Sequence, residues 1–379
     1  MFTYQKTNRY FAQFADSLEP VGADELAELG GKDIKTVYRG AYFTADKAAL
    51  YRIVYQTRLS TRILAQLLRF DCHSTKYLYK TARKIDWDTL FGPATTFAVD
   101  AITVNSKIKH SQYAALCLKD AIVDHFREST GKRPNVDTDN PDLLLNLHID
   151  RNKATVSIDT SGGSLHRRGY RKETVEAPMQ ETVAAAIIRL TSWLGERPLI
   201  DPMCGSGTLL AEAYMHAARI PAGYLRKRFG LPALPDYDQQ LWQQTRKQGD
   251  KAIKKLAPKL ISGSDISKQA VQGAATNLAM LPGGNAVHLA TRRMQSIEQI
   301  TDSVIVINPP YGIRLEKGRD MGAFIKEIGD FLKQRCTGSS AFIYLGDRTL
   351  AKSVGLKPAW KKPLKNGGLD GVLLKYDLY

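Results

Sequence analysis

One run of residues, Leu199-Ile200-Asp201-Pro202-Met203-Cys204-Gly205-Ser206-Gly207-Thr208-Leu209-Leu210, constrains the fold of this chain more than any other. Leu199-Ile200 can end a buried strand, Gly205-Ser206-Gly207 permits a tight turn that a ligand can approach closely, and the apolar residues from Thr208 to Ala218 begin a helix. A nucleotide-like cofactor fits on such a turn. Further along, Ile305-Val306-Ile307 makes a second buried strand, and Asn308-Pro309-Pro310-Tyr311 follows it with an amide, two rigid prolines and an aromatic ring. Open α/β sheets place their ligands at that end of their strands.

The rest of the carboxyl-terminal half fits the same architecture. Strands are predicted at 199–201, 261–265, near 286–290, 303–307, 340–346 and 371–377, with helices between them that include Lys268–Met280 and Met321–Gln334. A helix over Thr182–Trp193 precedes them, with Pro178 in the early-turn region where proline is tolerated. Asp265, at the end of Ile261-Ser262-Gly263-Ser264, is placed either to accept hydrogen bonds from ribose hydroxyls or to cap the next helix, and Ile266 can pack on a flat base. Between the glycine turn and Asp265 lies a segment, 216–260, with ten Lys/Arg and three Asp and with Pro221, Pro232 and Pro235 interrupting it. It is read as an inserted basic helical lobe.

At 379 residues the chain exceeds what one core organises, so two or three domains are expected. Residues 1–70 read as a small α+β unit, with a helix Pro20–Leu29 ended by Gly30-Gly31 and a strand Thr36–Phe43. Its Arg52, Arg58, Arg62 and Arg69 suit either a polyanion or a solvated face. Residues 71–165 continue with a polar helix Ser74–Lys84, a strand Thr96–Thr103, a helix Gln112–Ser129, and a strand pair 142–150 and 153–160 joined by the turn Arg151-Asn152. Periodicity alone makes this region α+β.

A net charge of +16 and a pI near 9.5 point to a polyanionic partner, with an anionic membrane or plain solubility as the other readings. Both halves share the excess. Residues 151–172 hold six Lys/Arg against one Asp, ending in His166-Arg167-Arg168-Gly169-Tyr170-Arg171-Lys172. Arginine forks bind phosphate and stack on bases, and Tyr170 offers another stacking surface; the alternative is a hinge with solvated charges. Lys107, Lys109 and His110 precede a predicted helix, where phosphate contacts or an ordinary surface cluster are both possible. The four cysteines, at 72, 117, 204 and 336, form no C-x-x-C pair, so neither zinc nor a disulfide framework is indicated. No apolar run reaches membrane-spanning length and the amino terminus lacks a long apolar stretch, which predicts a soluble protein of the reducing cytoplasm without a membrane partner.

Asp201-Pro202-Met203-Cys204-Gly205-Ser206-Gly207-Thr208 followed by Asn308-Pro309-Pro310-Tyr311 resembles the class I S-adenosylmethionine-dependent methyltransferases that modify exocyclic amines of nucleobases. With Ser164-Leu165-His166-Arg167-Arg168-Gly169-Tyr170-Arg171 and Gly312 added, the chain is similar, over nearly its whole length, to the THUMP-containing guanine-N2 methyltransferases of bacterial large-subunit ribosomal RNA. The resemblance implies a Rossmann-like α/β methyltransferase domain at 166–379, preceded by a ferredoxin-like region at 1–70 and an RNA-binding THUMP domain at 71–165. It also implies S-adenosylmethionine as cofactor, held by Pro178, Asp201, Pro202, Cys204, Gly205, Ser206, Gly207, Thr208, Asp265, Ile266 and Asn308. Asn308, Pro309, Pro310 and Tyr311 would hold the target base: the Asn308 and Pro309 carbonyls accept from its amine and Tyr311 stacks on its ring. RNA would meet Lys107, Lys109, Arg167, Arg168, Tyr170 and Arg171, and no metal is required.

Two positions depart from that family. An acidic residue that bonds the cofactor adenine is usual near position 293, where this chain has Thr291-Arg292-Arg293-Met294-Gln295, and Gly-Glu-Arg-Leu becomes Gly312-Ile313-Arg314-Leu315. Two other functions therefore stand beside ribosomal RNA guanine-N2 methylation. One is the same chemistry on tRNA, and the other is a catalytically weak RNA-binding or ribosome assembly factor.

Overall fold

The structure, a computed structural model, describes residues 1–173, 179–310 and 320–379. These divide into two compact units, one of residues 1–14, 22–165 and 226–247, the other of residues 15–21, 166–225 and 248–379. In the first, helices α1 (Thr3–Thr7), α2 (Glu19–Glu28), α3 (Lys47–Gln56), α4 (Thr75–Ala82) and α5 (Ser111–Thr130) accompany seven strands. These are β1 (Arg9–Gln13), β2 (Lys32–Val37), β3 (Gly40–Thr44), β4 (Arg62–Asp71), β5 (Phe97–Val104), β6 (Leu143–Asp150) and β7 (Lys153–Asp159), in the spatial order β2-β3-β1-β4-β7-β6-β5.

The sheet is continuous. β4 pairs antiparallel with β1 through Tyr10↔Ala65 and Ala12↔Ile63, and with β7 from Leu64↔Asp159 to Asp71↔Lys153. The boundary expected at residue 70 therefore falls inside a strand that serves both amino-terminal regions. Arg151 and Asn152 join β6 to β7 with φ of 47° and 59°, the paired left-handed geometry of a tight hairpin. The single strand expected over 36–43 is instead a hairpin, β2 and β3, turning at Tyr38-Arg39. No glycine marks its left-handed residue, Arg39, so the turn lacked its usual sequence signal. β1 also went unread, because its five residues alternate too briefly to show a period.

The second unit contains α6 (Glu181–Leu190), β8 (Leu199–Asp201), α7 (Thr208–Ala217) and α8 (Gln239–Lys251), the last beginning in the first unit. It continues with β9 (Ile261–Asp265), α9 (Lys268–Ala279), β10 (His288–Thr291), β11 (Val304–Ile307), α10 (Met321–Arg335), β12 (Ser340–Leu345), β13 (Trp360–Asn366) and β14 (Leu369–Asp377). Strand order is β10-β9-β8-β11-β12-β14-β13. All pairings are parallel as far as β12, and β14 then enters antiparallel between β12 and β13. The order reverses at β8, from which the chain builds first towards β10 and then, from β11, in the other direction. Ligands bind at such a switch point, at the carboxyl ends of the strands. β11, with four buried β-branched residues, lies beside β8 and brings Asn308 to that same end. The unpredicted strand, β13, is an edge strand with Lys361, Lys362 and Pro363, a composition that edges tolerate and sequence periodicity hides.

The basic insert is not one lobe. Its residues 226–247 pack in the first unit, where Trp242 meets Tyr51 and Tyr55 edge-on at 5.9 and 5.7 Å and lies 5.0 Å from Phe229. Such pairs contribute about 0.5–1.5 kcal/mol each beyond their burial. Arg226 donates to the carbonyls of Ser161 and Ser164 at 3.0 and 2.9 Å, so part of the insert's charge closes loops of that unit. Among the described residues no helix is long and apolar enough to cross a membrane.

Candidate active site

Asp201 ends β8, Asp265 ends β9, Asn308 follows β11, and one cavity of about 750 Å³ opens among all three. That volume lies in the range of small-molecule sites. Its wall includes Asp201, Pro202, Cys204, Gly205, Ser206, Thr208, Asp265, Ile266, Asn308 and Pro310, ten of the residues picked from sequence. Gly207 and Pro309 lie behind that wall: Gly207 is the N-cap of α7 and Pro309 is buried. Pro178 and Tyr311 lie outside the described residues, as do Gly312-Ile313-Arg314-Leu315.

The loop after β8 is built to approach a ligand. Gly205 and Gly207 take φ of 53° and 79°, and a Cβ on Gly207 would stand 3.0 Å from that of Ala274 on α9. A side chain there would be strained in its backbone and push α9 from the turn. Asp265 fixes the loop from the other side, accepting from the Gly205 amide at 2.9 Å through Oδ2 and from the Ser267 amide at 2.9 Å through Oδ1. Asp265 thus faces the cavity while bonding the start of the next segment, and the cap of α9 is Ser267 rather than Asp265.

Asp201 is buried, and its Oδ1 accepts from the Met203 amide at 3.0 Å. Desolvation pushes its carboxyl up to about 8, the nearby Asp265 charge adds to that rise, and the Met203 bond opposes it. A cationic group in the cavity would reverse this balance and draw the carboxyl into its charged form. At the other wall, the Asn308 Oδ1 is buried and has no hydrogen-bond partner among the described residues. Such an acceptor can take a donor that arrives from outside, since an unpaired buried acceptor is costly.

Several cavity residues were missed. Phe324 and Glu327 reach it from successive turns of α10, and Gln295 donates to Glu327 at 3.1 Å. The helical spacing of α10 hid them, because its apolar face reads as ordinary core. Arg293, the residue in place of the usual acid, also lines the cavity. Asn277, which braces the glycine loop without lining the cavity, was missed for a different reason. Its amide donates to the Ser206 and Glu173 carbonyls at 3.0 and 2.9 Å and accepts from the Lys172 and Glu173 amides, a brace between the glycine loop and residues 172–173 that a single Asn in a helix does not advertise.

The basic cluster before α6 requires a correction. Arg168 is 1% exposed and pairs with the fully buried Glu212 of α7 at 3.3 Å, and Tyr170 donates to the same carboxylate at 3.1 Å. Neither presents a face to RNA. Arg171 is half-buried, donates to the Met179 carbonyl at 2.7 Å and to Thr208 Oγ1 at 3.2 Å, and pairs with Glu181. Charge density in sequence does not separate an interior ion pair from a surface patch, and the buried Glu212 that decides the matter lies far along the chain. Arg167 remains exposed, as do Lys107 and Lys109 of the first unit, whose loop is pinned by Lys107 N–H donating to Asn152 Oδ1 at 2.9 Å.

Comparison with known proteins agrees with this geometry. Residues 168–375 match the family described as RMKL-like, methyltransferase domain; residues 72–159 match the THUMP domain and residues 9–64 the RlmL ferredoxin-like domain. A provisionally named RNA methyltransferase of Synechocystis sp. is 39% identical, across 98% of this chain and 97% of its own length. The ribosomal RNA large subunit methyltransferase K/L of Syntrophotalea carbinolica is 37% identical across 98% of this chain, which spans about half (53%) of that relative. A crystal structure of a provisionally named methyltransferase complexed with SAH superposes with a TM-score of 0.85 at 28% identity, covering 98% of each chain. From residue 168 onwards the match takes in the cavity and both of its motifs, and the chain belongs to the RMKL-like methyltransferase family.

Proposed function

We propose that this chain methylates ribosomal RNA from S-adenosylmethionine, and that its target is the exocyclic N2 amine of a guanine in the large-subunit RNA. The observation that carries the reading is the buried Asn308 Oδ1, without a hydrogen-bond partner among the described residues and set on the same cavity as Asp201 and Asp265. Bound S-adenosylmethionine supplies a methyl group on sulfur, whose C–S bond breaks as the new N–C bond forms. The chain's part is to hold the two partners in line, which requires neither metal nor covalent intermediate. Asn308 Oδ1 accepts one hydrogen of the amine and aims its lone pair at the methyl group, and the amine proton leaves to solvent after transfer. Pro309 and Pro310 restrict φ and donate no backbone hydrogen bond, so the carbonyls around the amine stay acceptors.

Cofactor placement follows the same logic. Asp265 accepts from ribose hydroxyls, Ile266 packs on the adenine, and Asp201 stands near the ammonium group, with Pro202, Cys204, Ser206, Thr208 and the backbone of Gly205 and Gly207 shaping the turn beneath. Pro178 and Tyr311 complete the assignment from resemblance alone. An amine inside a stacked duplex is out of reach, so the base must be extruded or unpaired. For RNA contact, Lys107, Lys109 and Arg167 have the required exposure.

Labelled S-adenosylmethionine, total unmodified RNA and the purified chain test this directly. Label recovered as N2-methylguanosine in the large-subunit RNA, and lost with Asn308→Ala, is the expected result. Label in the tRNA fraction would move the substrate to tRNA, and N6-methyladenosine would overturn the choice of base. Arg293 on the cavity wall favours one second reading, a catalytically weak RNA-binding or assembly factor. Strong RNA binding with no uptake of S-adenosylmethionine would select it.

A further inference from the structure

At one end of the seven-stranded sheet the strands run β2-β3-β1-β4, and burial alternates along β1 and, from Ala41, along β3. Tyr10 and Ala12 of β1 and Ala41 and Phe43 of β3 point into the core. The residues between them face the other way. Phe11 and Tyr42 are direct register partners on that open face, both half-buried, with ring centroids 5.0 Å apart. Gly40 makes room for the pair, since a Cβ there would lie 2.2 Å from the Phe11 ring.

Cations frame the two rings. Lys35 is the register partner of Tyr42 on β2, Lys32 and Arg9 are both partners of Thr44, and all three are exposed. Because directly paired residues share a face of the sheet, the cations stand beside the rings. The Arg9 guanidinium lies 4.4 Å from the Tyr42 ring centroid. Of the carboxylates nearby, Asp100 and Asp159 pair with Arg62, and Asp33 accepts from the Thr44 hydroxyl at 2.7 Å.

We propose that this open face is an RNA site of its own, taking unpaired bases of single-stranded RNA on Phe11 and Tyr42 while Arg9, Lys32 and Lys35 meet the flanking phosphates. Adjacent aromatics on neighbouring strands of an open sheet face are how such surfaces recognise splayed bases, because every base has a face to stack and a duplex hides it. The inference rests on the reading of the chain as an RNA-modifying enzyme, and it adds a contact outside both the methyl-transfer cavity and the loop at Lys107 and Lys109.

The test uses the full chain and a labelled single-stranded uridine oligonucleotide of about twelve nucleotides, within the site sizes of such surfaces, against a duplex of equal length. Tyr42→Ala should weaken single-strand binding about tenfold while S-adenosylmethionine titration stays as in the unsubstituted protein and the variant remains folded. Lys35→Glu should weaken binding and flatten its salt dependence. Photocross-linking of a 4-thiouridine oligonucleotide to the unsubstituted chain should mark peptides that contain Phe11 or Tyr42. Wild-type affinity in a folded Tyr42→Ala variant, cross-links absent from both strands, or displacement of the RNA from this face by an acidic peptide without any such cross-link would each overturn the proposal. Failure of methyl transfer with these cross-links present would instead fall on the enzymatic reading alone.

Discussion

Oδ2 of Asp265 accepts the backbone amide of Gly205 at 2.9 Å, so the residue at the end of β9 holds in place the glycine turn that follows β8. Two strands of the switch point are thereby locked across the cavity. Asp265→Ala should remove both this clamp and the proposed ribose acceptor. A charged hydrogen bond contributes about 1.5–3 kcal/mol, so calorimetric titration of S-adenosylmethionine should show affinity falling by a factor of ten or more. Unchanged affinity would detach Asp265 from the cofactor.

Asn308→Ala should separate binding from chemistry. Its Oδ1 is the proposed acceptor for the incoming amine, and removal of one positioned polar group in an active site typically lowers turnover about a hundredfold or more. S-adenosylmethionine affinity should change little. Single-turnover methylation measured beside a cofactor titration checks both halves, and equal losses in the two would place Asn308 in cofactor binding instead.

Asp201 makes a prediction with a definite sign. Its folded value of about 8 lies above the ordinary 3.8, so the folded state without cofactor holds a proton that the unfolded chain gives up. The associated stability is fully present below about 3.8 and is lost progressively as pH rises to about 8. Asp201→Asn should flatten that loss, raising the melting temperature of the cofactor-free protein at pH 8 relative to the parent, while weakening the cofactor. Proton release on cofactor binding below pH 8, read by titration in buffers of different ionisation enthalpy, is the companion result.

Arg168→Ala tests the corrected role of that arginine. Taking away one member of a buried pair costs about 3–5 kcal/mol, so chemical denaturation should show a large loss of stability, whereas Lys107→Ala should show almost none. The reverse should hold for RNA. Lys107→Ala should lower the slope of binding against salt by about one unit if it meets a phosphate. An Arg168→Ala protein that is fully stable but deficient in RNA binding would restore the surface reading.

Local chemistry made the carboxyl-terminal sheet legible: β-branched runs, a glycine turn and the asparagine-proline pair each act over a few residues. The cavity wall at Asp201, Asp265 and Asn308 was readable for the same reason. Features set by partners distant in sequence were not. Arg168 needs Glu212 to become an interior residue, Glu327 meets Gln295 from 32 residues away, and the sharing of β4 depends on pairing with β1 and β7 at once. Charge misled where burial decided, and short strands such as β1 offered too few residues for a period.

The placement of residues 226–247 within the amino-terminal unit sets a schedule for the growing chain. All seven strands of that unit have been made once Asp159 is added, yet Phe229 and Trp242, which close the aromatic cluster over Tyr51 and Tyr55, are still unsynthesised. At roughly 5–20 residues per second, the nascent sheet must wait several seconds with those rings uncovered. Translation speed through the stretch after Asp159 therefore sets how long a sticky intermediate persists, and with it the yield of folded protein in the cell.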